Sequence, residues 1–413
     1  MFPRLSLPVL ASLTPPEFEV KIIDEYFEEI PFDDPADLIG LSFMTPQAPR
    51  AYQIGDEFRR RGKKVVMGGI HASVLPEESL LHADAVVVGE AENLWTRVLE
   101  DLKNDKLGGT YRAEHLPILE GMAVPRYDLL EKKRYRLFKI NFPLQAGRGC
   151  PFDCEFCSVT KFFGRTIRYR PISEVVDEIK SLKKQRILFI DDNIVGSPEY
   201  AINLFKQLIP LGIRWGGQAS INLARNESLL KLAAESGCAI LFMGIESLSN
   251  ESLGEIGKIF FKAEEIQESI QKIQSYGISI RTSIVFGFDH DDQSVFKRTA
   301  DFLVQVQVAY ADFFILTPLP GTKLREKLKA EGRVLTDDWS QYDSLRAVFQ
   351  PQKMSIEALN EGLWEAYRIF YSPENILKRI LFNNNTKGKI RKLFSNFFYR
   401  SLVINKKHPI YGG

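Results

Sequence analysis

The sequence predicts an α/β protein with two parallel sheets and a helical C-terminal end. Three observations carry this. Short apolar runs alternate with segments of helical period up to about residue 335, the pattern of strands joined by covering helices. A proline- and glycine-bearing irregular stretch divides that series in two. Beyond about residue 335 the strand signal stops and helical periodicity remains. The 413 residues, 45% hydrophobic and 26% charged, are enough for two cores and exclude global disorder. Lys and Arg total 54 against 53 Asp and Glu, a net charge of +1, which argues against a generally basic nucleic-acid binder. No uncharged apolar run approaches the roughly 18 residues of a membrane span. The apolar stretch after Arg4 is expected to be domain material and not a leader, because no small-residue cleavage site follows it.

In chain order, residues 18–22 alternate apolar and polar and predict a half-exposed strand. Residues 38–43, 64–67 and 84–88 are short apolar runs bounded by Gly or Asp, which predict buried strands. Ala91, Leu94, Trp95, Val98, Leu99 and Leu102 fall on one helical face. Together they define a domain over 1–104. Neither GxGxxG nor GxxxxGK[ST] occurs, so dinucleotide and P-loop readings have no support. Residues 105–142, with Gly108, Gly109, Pro117 and Pro125, predict a linker. Six further strands are expected at 143–146, 186–190, 213–220, 239–245, 278–286 and 309–317, separated by helices that include the face Ile172, Val175, Val176, Ile179 and Leu182 and a segment at 292–306. Six β/α units over 143–335 are too few to close an eight-stranded barrel, so an open, partial (β/α)6 barrel is predicted.

The region 336–413 is expected to be helical, with one helix over 355–371. Residues 375–413 hold nine Lys or Arg and no Asp or Glu. Within them Ile390, Leu393, Phe394, Phe397 and Phe398 share a helical face, expected to pack on the barrel with a solvated basic side. The alternative is a helix over 387–407 lying on an anionic membrane.

Three of the four cysteines, Cys150, Cys154 and Cys157, lie in one loop after the first strand of the second series, at the strand end where α/β barrels keep their chemistry. Zinc wants four ligands. Three thiolates without a nearby His or Cys suit a cubane iron–sulfur cluster with one open iron. Cys238, before an apolar strand, reads as a buried small hydrophobe.

The CxxxCxxC spacing resembles the signature of the radical S-adenosylmethionine (SAM) superfamily. The resemblance implies a 4Fe-4S cluster on the three cysteines, SAM on the open iron, a 5′-deoxyadenosyl radical as product of its reduction, and Phe156 near the adenine. Further elements follow at successive strand ends. Asp191-Asp192-Asn193 resembles the SAM amino-group motif but departs from its common Gly-Gly-Glu form, and a helix cap is the alternative. Gln218 and Ser220 end the third strand. Glu246 resembles the ribose-contacting position. Ser283, in 283–287, and Thr317, in 317–322, match the remaining adenosine-side elements.

The segments 37–42, 68–73, 76–78 and 84–92 resemble the cobalamin-binding domain of cobalamin-dependent radical SAM proteins. The resemblance implies a Rossmann-like domain with Ser42, Thr45, Gly68, Gly69, His71, Gly89 and Glu90 at the cobalamin site. That domain normally opens with a strand before the position of Phe2-Pro3, which this chain lacks. No Asp-x-His-x-x-Gly occurs, so a histidine ligating cobalt from below is not indicated; His71 is expected near the corrin or as a brace within the loop. His82, His115, His290 and His408 are expected in surface or capping roles. No catalytic residue is assigned. The resemblance implies a cobalamin-dependent methyltransferase acting on an unactivated carbon, using two SAM molecules. A cyclase or rearrangement enzyme, or a non-catalytic redox or ligand-sensing relative, are the alternatives. The implied partners are a small-molecule or isoprenoid-lipid substrate and an electron donor such as flavodoxin or ferredoxin, without nucleic acid, in a reducing cytoplasm and with the tail available for peripheral membrane contact.

Overall fold

A computed structural model describes residues 4–130, 142–183, 186–258, 261–381 and 388–409. The first sheet holds β1 (Leu38–Ser42), β2 (Lys64–Gly68), β3 (Ala85–Val88) and β4 (Gly109–Arg112) in that order, all parallel. Strand alternation feeds two cores. Val65, Met67 and Val86 face Ala51, Ile54 and Phe58 of helix Ala48–Arg60. Val66, Ala85 and Val87 face Val98 and Leu99 of helix Trp95–Lys103.

Two expectations fail here. Residues 18–22 form no strand. Phe18 joins the core around Val98, under the Lys103 ammonium 4.7 Å from its ring, and Ile22 packs near Leu5 and Tyr127. The alternation thus reports anchoring by side chains, not sheet pairing. Conversely β4 lies in a segment that sequence reads as irregular. Gly108 and Gly109 mask it, and only Tyr111 of its side chains is buried. Among the described residues, helix Ser6–Ser12 and no strand precede Leu38. Phe2 and Pro3 lie outside them.

The second series begins with β5 (Phe142–Leu144), then the short antiparallel pair β6 (Gly147–Arg148) and β7 (Arg168–Tyr169). There follow β8 (Arg186–Phe189), β9 (Arg214–Gln218), β10 (Cys238–Glu246), β11 (Ser279–Phe286) and β12 (Tyr310–Ile315). The parallel sheet runs β12-β11-β10-β9-β8-β5, with its first and last strands in chain order at opposite edges. It is the open six-stranded barrel expected from sequence. Helices Ile172–Leu182 and Val295–Gln305 and the C-terminal Ile356–Phe370 also lie where periodicity puts them. The last crosses Val295–Gln305 closely enough that a Cβ on Gly362 would lie 2.1 Å from the Phe296 ring.

The basic C-terminal helix, Lys389–Ile404, departs from expectation in orientation. It buries a polar side. Asn396 accepts from Arg379 (3.0 Å) and donates to the Ala309 carbonyl (3.2 Å). Tyr399 accepts from Arg281 (3.1 Å), and Ser395 bonds Tyr310 (2.8 Å). Arg379, 1% exposed, also donates to the Val308 and Phe370 carbonyls and sits 3.7 Å over the Phe370 ring. Its burial lowers its pKa to about 10. These polar anchors turn the apolar face outward, so Ile390 and Phe394 are 73% and 75% exposed.

His408 is buried, not at the surface: its Nε2 lies 2.7 Å from the Tyr367 hydroxyl, and burial pushes its pKa down to about 4. The unfolded chain, with an ordinary histidine near 6.5, binds that proton first. The folded state therefore loses stability as pH falls from about 6.5 toward 4, and keeps it above 6.5. Between pH 7 and pH 5 urea unfolding should record a loss of about 2 kcal/mol from this group, absent in His408→Gln.

Candidate functional site

The cysteine loop leaves β6 over the C-terminal ends of the six-stranded sheet. Gly149 starts it at φ +97°, where a Cβ would lie 2.7 Å from the Thr166 carbonyl oxygen, so the turn requires glycine. The loop is tied down by its backbone. Cys157 N–H donates to Cys154 O (3.0 Å), Glu155 N–H to Ile256 O (3.2 Å) and Leu324 N–H to Glu155 O (3.1 Å). Lys323 adds an ion pair to Asp153 (2.8 Å). All three thiols are half-buried, and burial raises each pKa, that of Cys157 to about 12. Each thiol raises or feels its neighbours' charge, and Lys258 acts in the opposite sense on Cys150 and Cys154. Cys238 stands at the far, N-terminal end of β10, about 26 Å of strand from Glu246. It cannot be a fourth ligand, and among the described residues no three His, Cys, Asp or Glu side chains, these thiols included, are gathered closely enough to hold a single metal ion.

The strand-end residues separate into those that face the loop and those that brace it. Asp192 accepts from Gly149 N–H (3.3 Å) and is felt by Cys150 and Cys157. Burial raises its pKa to about 6, and that of Asp191 to about 7. Among the described residues neither forms an ion pair. Asp191 also accepts from Ala146 N–H (3.1 Å), and Asn193 from Ser220 N–H (3.2 Å), so both hold neighbouring strands together. Glu246 takes φ +65° at the end of β10. Its Oε1 accepts from Lys258 Nζ (2.7 Å), its Oε2 from Ser283 (3.3 Å). Lys258 also donates to the Gly244 carbonyl (2.7 Å). The Ser220 hydroxyl accepts from Asn222 N–H and the Thr317 hydroxyl donates to Ile315 O, both local caps. Gln218 ends β9, its carbonyl accepting from Ile194 N–H, and Phe156 packs half-buried against the main core.

In the N-terminal domain, exposed Ser42 and half-buried Gly68 end β1 and β2, and half-buried Gly89 follows β3. A Cβ on Gly89 would meet nothing within 4 Å, so the space beside the end of β3 is open at this position. Gly69, at φ +94°, lies so close to Phe43 that a Cβ would be 2.7 Å from its carbonyl oxygen. His71 is wholly buried. Its Nδ1 is 3.2 Å from the Thr45 hydroxyl and its Nε2 3.1 Å from Tyr52 OH, and burial lowers its pKa. Both ring nitrogens are engaged, which makes His71 a brace for the loop.

Glu90 reaches across to the second domain. It pairs with Arg148, two residues before Cys150, and with Arg168 (2.5 Å), and Glu92 pairs with Arg148 (2.6 Å). Burial disfavours the Arg148 charge, but Glu92 and Glu90 more than offset this and raise its pKa. Two more contacts join the same ends. A Cβ on Gly321 would lie 2.5 Å from Val74, and Trp339 Nε1 donates to Glu78 (2.8 Å). The C-terminal ends of both sheets therefore face one another.

Comparison with known proteins agrees with this arrangement. A radical SAM superfamily profile matches residues 144–303 and a B12 binding domain profile residues 10–99. A domain of unknown function matches 322–400. Bacteriochlorophyllide d C-12(1)-methyltransferase of Chlorobaculum tepidum is 32% identical over 385 residues, 91% of this chain and 84% of that protein. The chain belongs to the cobalamin-binding radical SAM family. Hopanoid C-2 methylase of Rhodopseudomonas palustris is 27% identical, over 91% of this chain and 72% of its own. The fold matches that of the radical SAM methyltransferase TsrM from Kitasatospora setae, at TM-score 0.73 and 15% identity over 97% of both chains.

This radical SAM enzyme therefore uses a 4Fe-4S cluster, SAM and cobalamin. Its residues fit those groups. Three neighbouring thiols without a fourth leave one iron of a cluster open. The buried Asp192 carboxyl beside them suits a cationic amino group, and the open space at Gly89 leaves room for a flat ring. Sequence reasoning missed Lys258, Arg148 and Arg168. They carry no motif, and their roles come from partners 12 to 78 residues away.

Proposed function

We propose that this radical SAM enzyme transfers a methyl group to an unactivated carbon of a polycyclic small molecule or isoprenoid lipid. The observation that carries this is the meeting of the two sets of strand ends through Glu90, Arg148 and Arg168. Methyl donor and radical source must both reach one substrate carbon, and facing strand ends support that reading. When bound, the cluster with SAM supplies hydrogen abstraction and cobalamin supplies the methyl group.

The residues of the chain divide the remaining work. Cys150, Cys154 and Cys157 hold the cluster. Asp192, with Asp191 behind it, takes the amino end of SAM. Glu246 accepts from the ribose hydroxyls, oriented by Lys258 and Ser283. Phe156, and the backbone at Gln218, Ser220 and Thr317, flank the adenosine. Ser42, Gly68 and Gly89 seat the corrin, while Thr45, Gly69 and His71 shape its loop. Glu90 acts between the domains rather than on the corrin. An electron donor of the flavodoxin or ferredoxin type and a reducing compartment follow from an oxygen-labile cluster. Among the described residues no helix is long and apolar enough to cross a membrane.

The test is turnover with methyl-deuterated SAM on bacteriochlorophyllide d and on a hopanoid. Label in the product, with equimolar 5′-deoxyadenosine and S-adenosylhomocysteine, is expected. Ring closure without label would give the enzyme to the cyclases. An intact cluster that never cleaves SAM would make it a non-catalytic relative.

A further inference from the structure

The C-terminal helices present a surface that the reaction does not use. On helix Lys389–Ile404, Ile390, Phe394, Phe397, Phe398 and Ile404 are all exposed. At 100° per residue they fall in an arc of about 120°. Leu377 and Leu381 of the adjoining helix Pro373–Leu381 are exposed as well. Scattered exposed apolar residues need no explanation, but a contiguous aromatic and aliphatic stripe does. The opposite side is held inward by Asn396, Tyr399 and Val403, so the stripe cannot turn to the core without breaking buried polar contacts.

We propose that this stripe docks the protein on an anionic lipid bilayer. Charge selects the occupant. Residues 375–413 carry nine Lys or Arg and no Asp or Glu; Lys378, Arg391 and Lys407 are exposed, while Lys406 pairs with Glu361 (2.8 Å). A second copy docked on the same face would bring this patch against itself, cation against cation, with no carboxylate in the segment to relieve it. Anionic headgroups complement it. Phenylalanine and isoleucine on one side with basic residues beside them are what an in-plane interfacial helix requires.

Deleting residues 386–413 is a poor test, because it removes Asn396 and leaves the buried Arg379 guanidinium short of a partner. Exposed residues serve better. The anaerobically reconstituted full chain and its Phe394→Ser/Phe398→Ser variant are floated with vesicles of equal parts phosphatidylglycerol and phosphatidylcholine, and with phosphatidylcholine alone. The native chain is expected to float with the anionic vesicles. The variant's bound fraction should fall about ten-fold while SAM cleavage persists. Equal flotation of the two proteins, or none by the native chain, overturns the proposal. A concentration-dependent dimer that the variant abolishes, without flotation, assigns the face to a second copy and overturns it as well.

Discussion

Cys154→Ala, purified and reconstituted without oxygen, should hold no stable 4Fe-4S cluster and form no 5′-deoxyadenosine from SAM under reductant. The loss should exceed about 100-fold, since even outer partners of metal ligands cost 10–100-fold. The variant should still fold. What shapes the loop is backbone: Cys154 contributes its carbonyl to Cys157 N–H, Glu155 is bonded to Ile256 and Leu324, and Gly149 sets the entry. None of these needs the Cys154 sulfur. Iron and sulfide content, the visible spectrum and 5′-deoxyadenosine yield are the readouts. A variant that continued to cleave SAM would refute the assignment of the three cysteines.

Glu90→Gln should cost about 3 kcal/mol of unfolding free energy, because removing one partner leaves buried charge uncompensated. Arg148 and Arg168 both lie against Glu90, and Arg148 is nearly inaccessible. The urea midpoint measures this. A second substitution, Arg168→Met, should recover part of the loss, since it removes the stranded charge. The functional consequence is more specific. Arg148 stands two residues from Cys150, so the network holds the cysteine loop against the strand ends of the first domain. Loosening it should leave SAM cleavage largely intact while methylated product falls. A parallel fall in both, or an unchanged ratio, would reduce Glu90 to a structural role.

The sequence made most of the sheet strands visible because they are short, apolar and bounded by Gly or Asp. It also made the cysteine loop visible, because three thiols at fixed spacing have few explanations. Two kinds of feature were hidden. Strand β4 is hidden by its glycines and its largely exposed side chains. The segment 18–22 has a strand's alternation without a strand's partner. In the site, the strand-end positions were legible but their division of labour was not. Whether Asp191 braces β5 or His71 braces the Thr45 loop depends on which neighbour a side chain meets after folding. Glu90 shows this best. Its motif resembles a cobalamin contact, yet its partners lie 58 and 78 residues on, in the other domain. The C-terminal helix shows the limit of periodicity. It reveals an apolar face but not which way the face points, and here Asn396 and Tyr399 decide that.

The four-stranded N-terminal domain, with no strand before Leu38 among its described residues, is expected to seat cobalamin beside the cluster. Bound corrin measures it directly. The chain is purified and reconstituted without oxygen, offered hydroxocobalamin, desalted, and its visible spectrum read against iron content. One corrin per chain alongside an intact cluster is the predicted result. A full cluster with no corrin retained would contradict it, and with it the transfer of a methyl group from cobalamin.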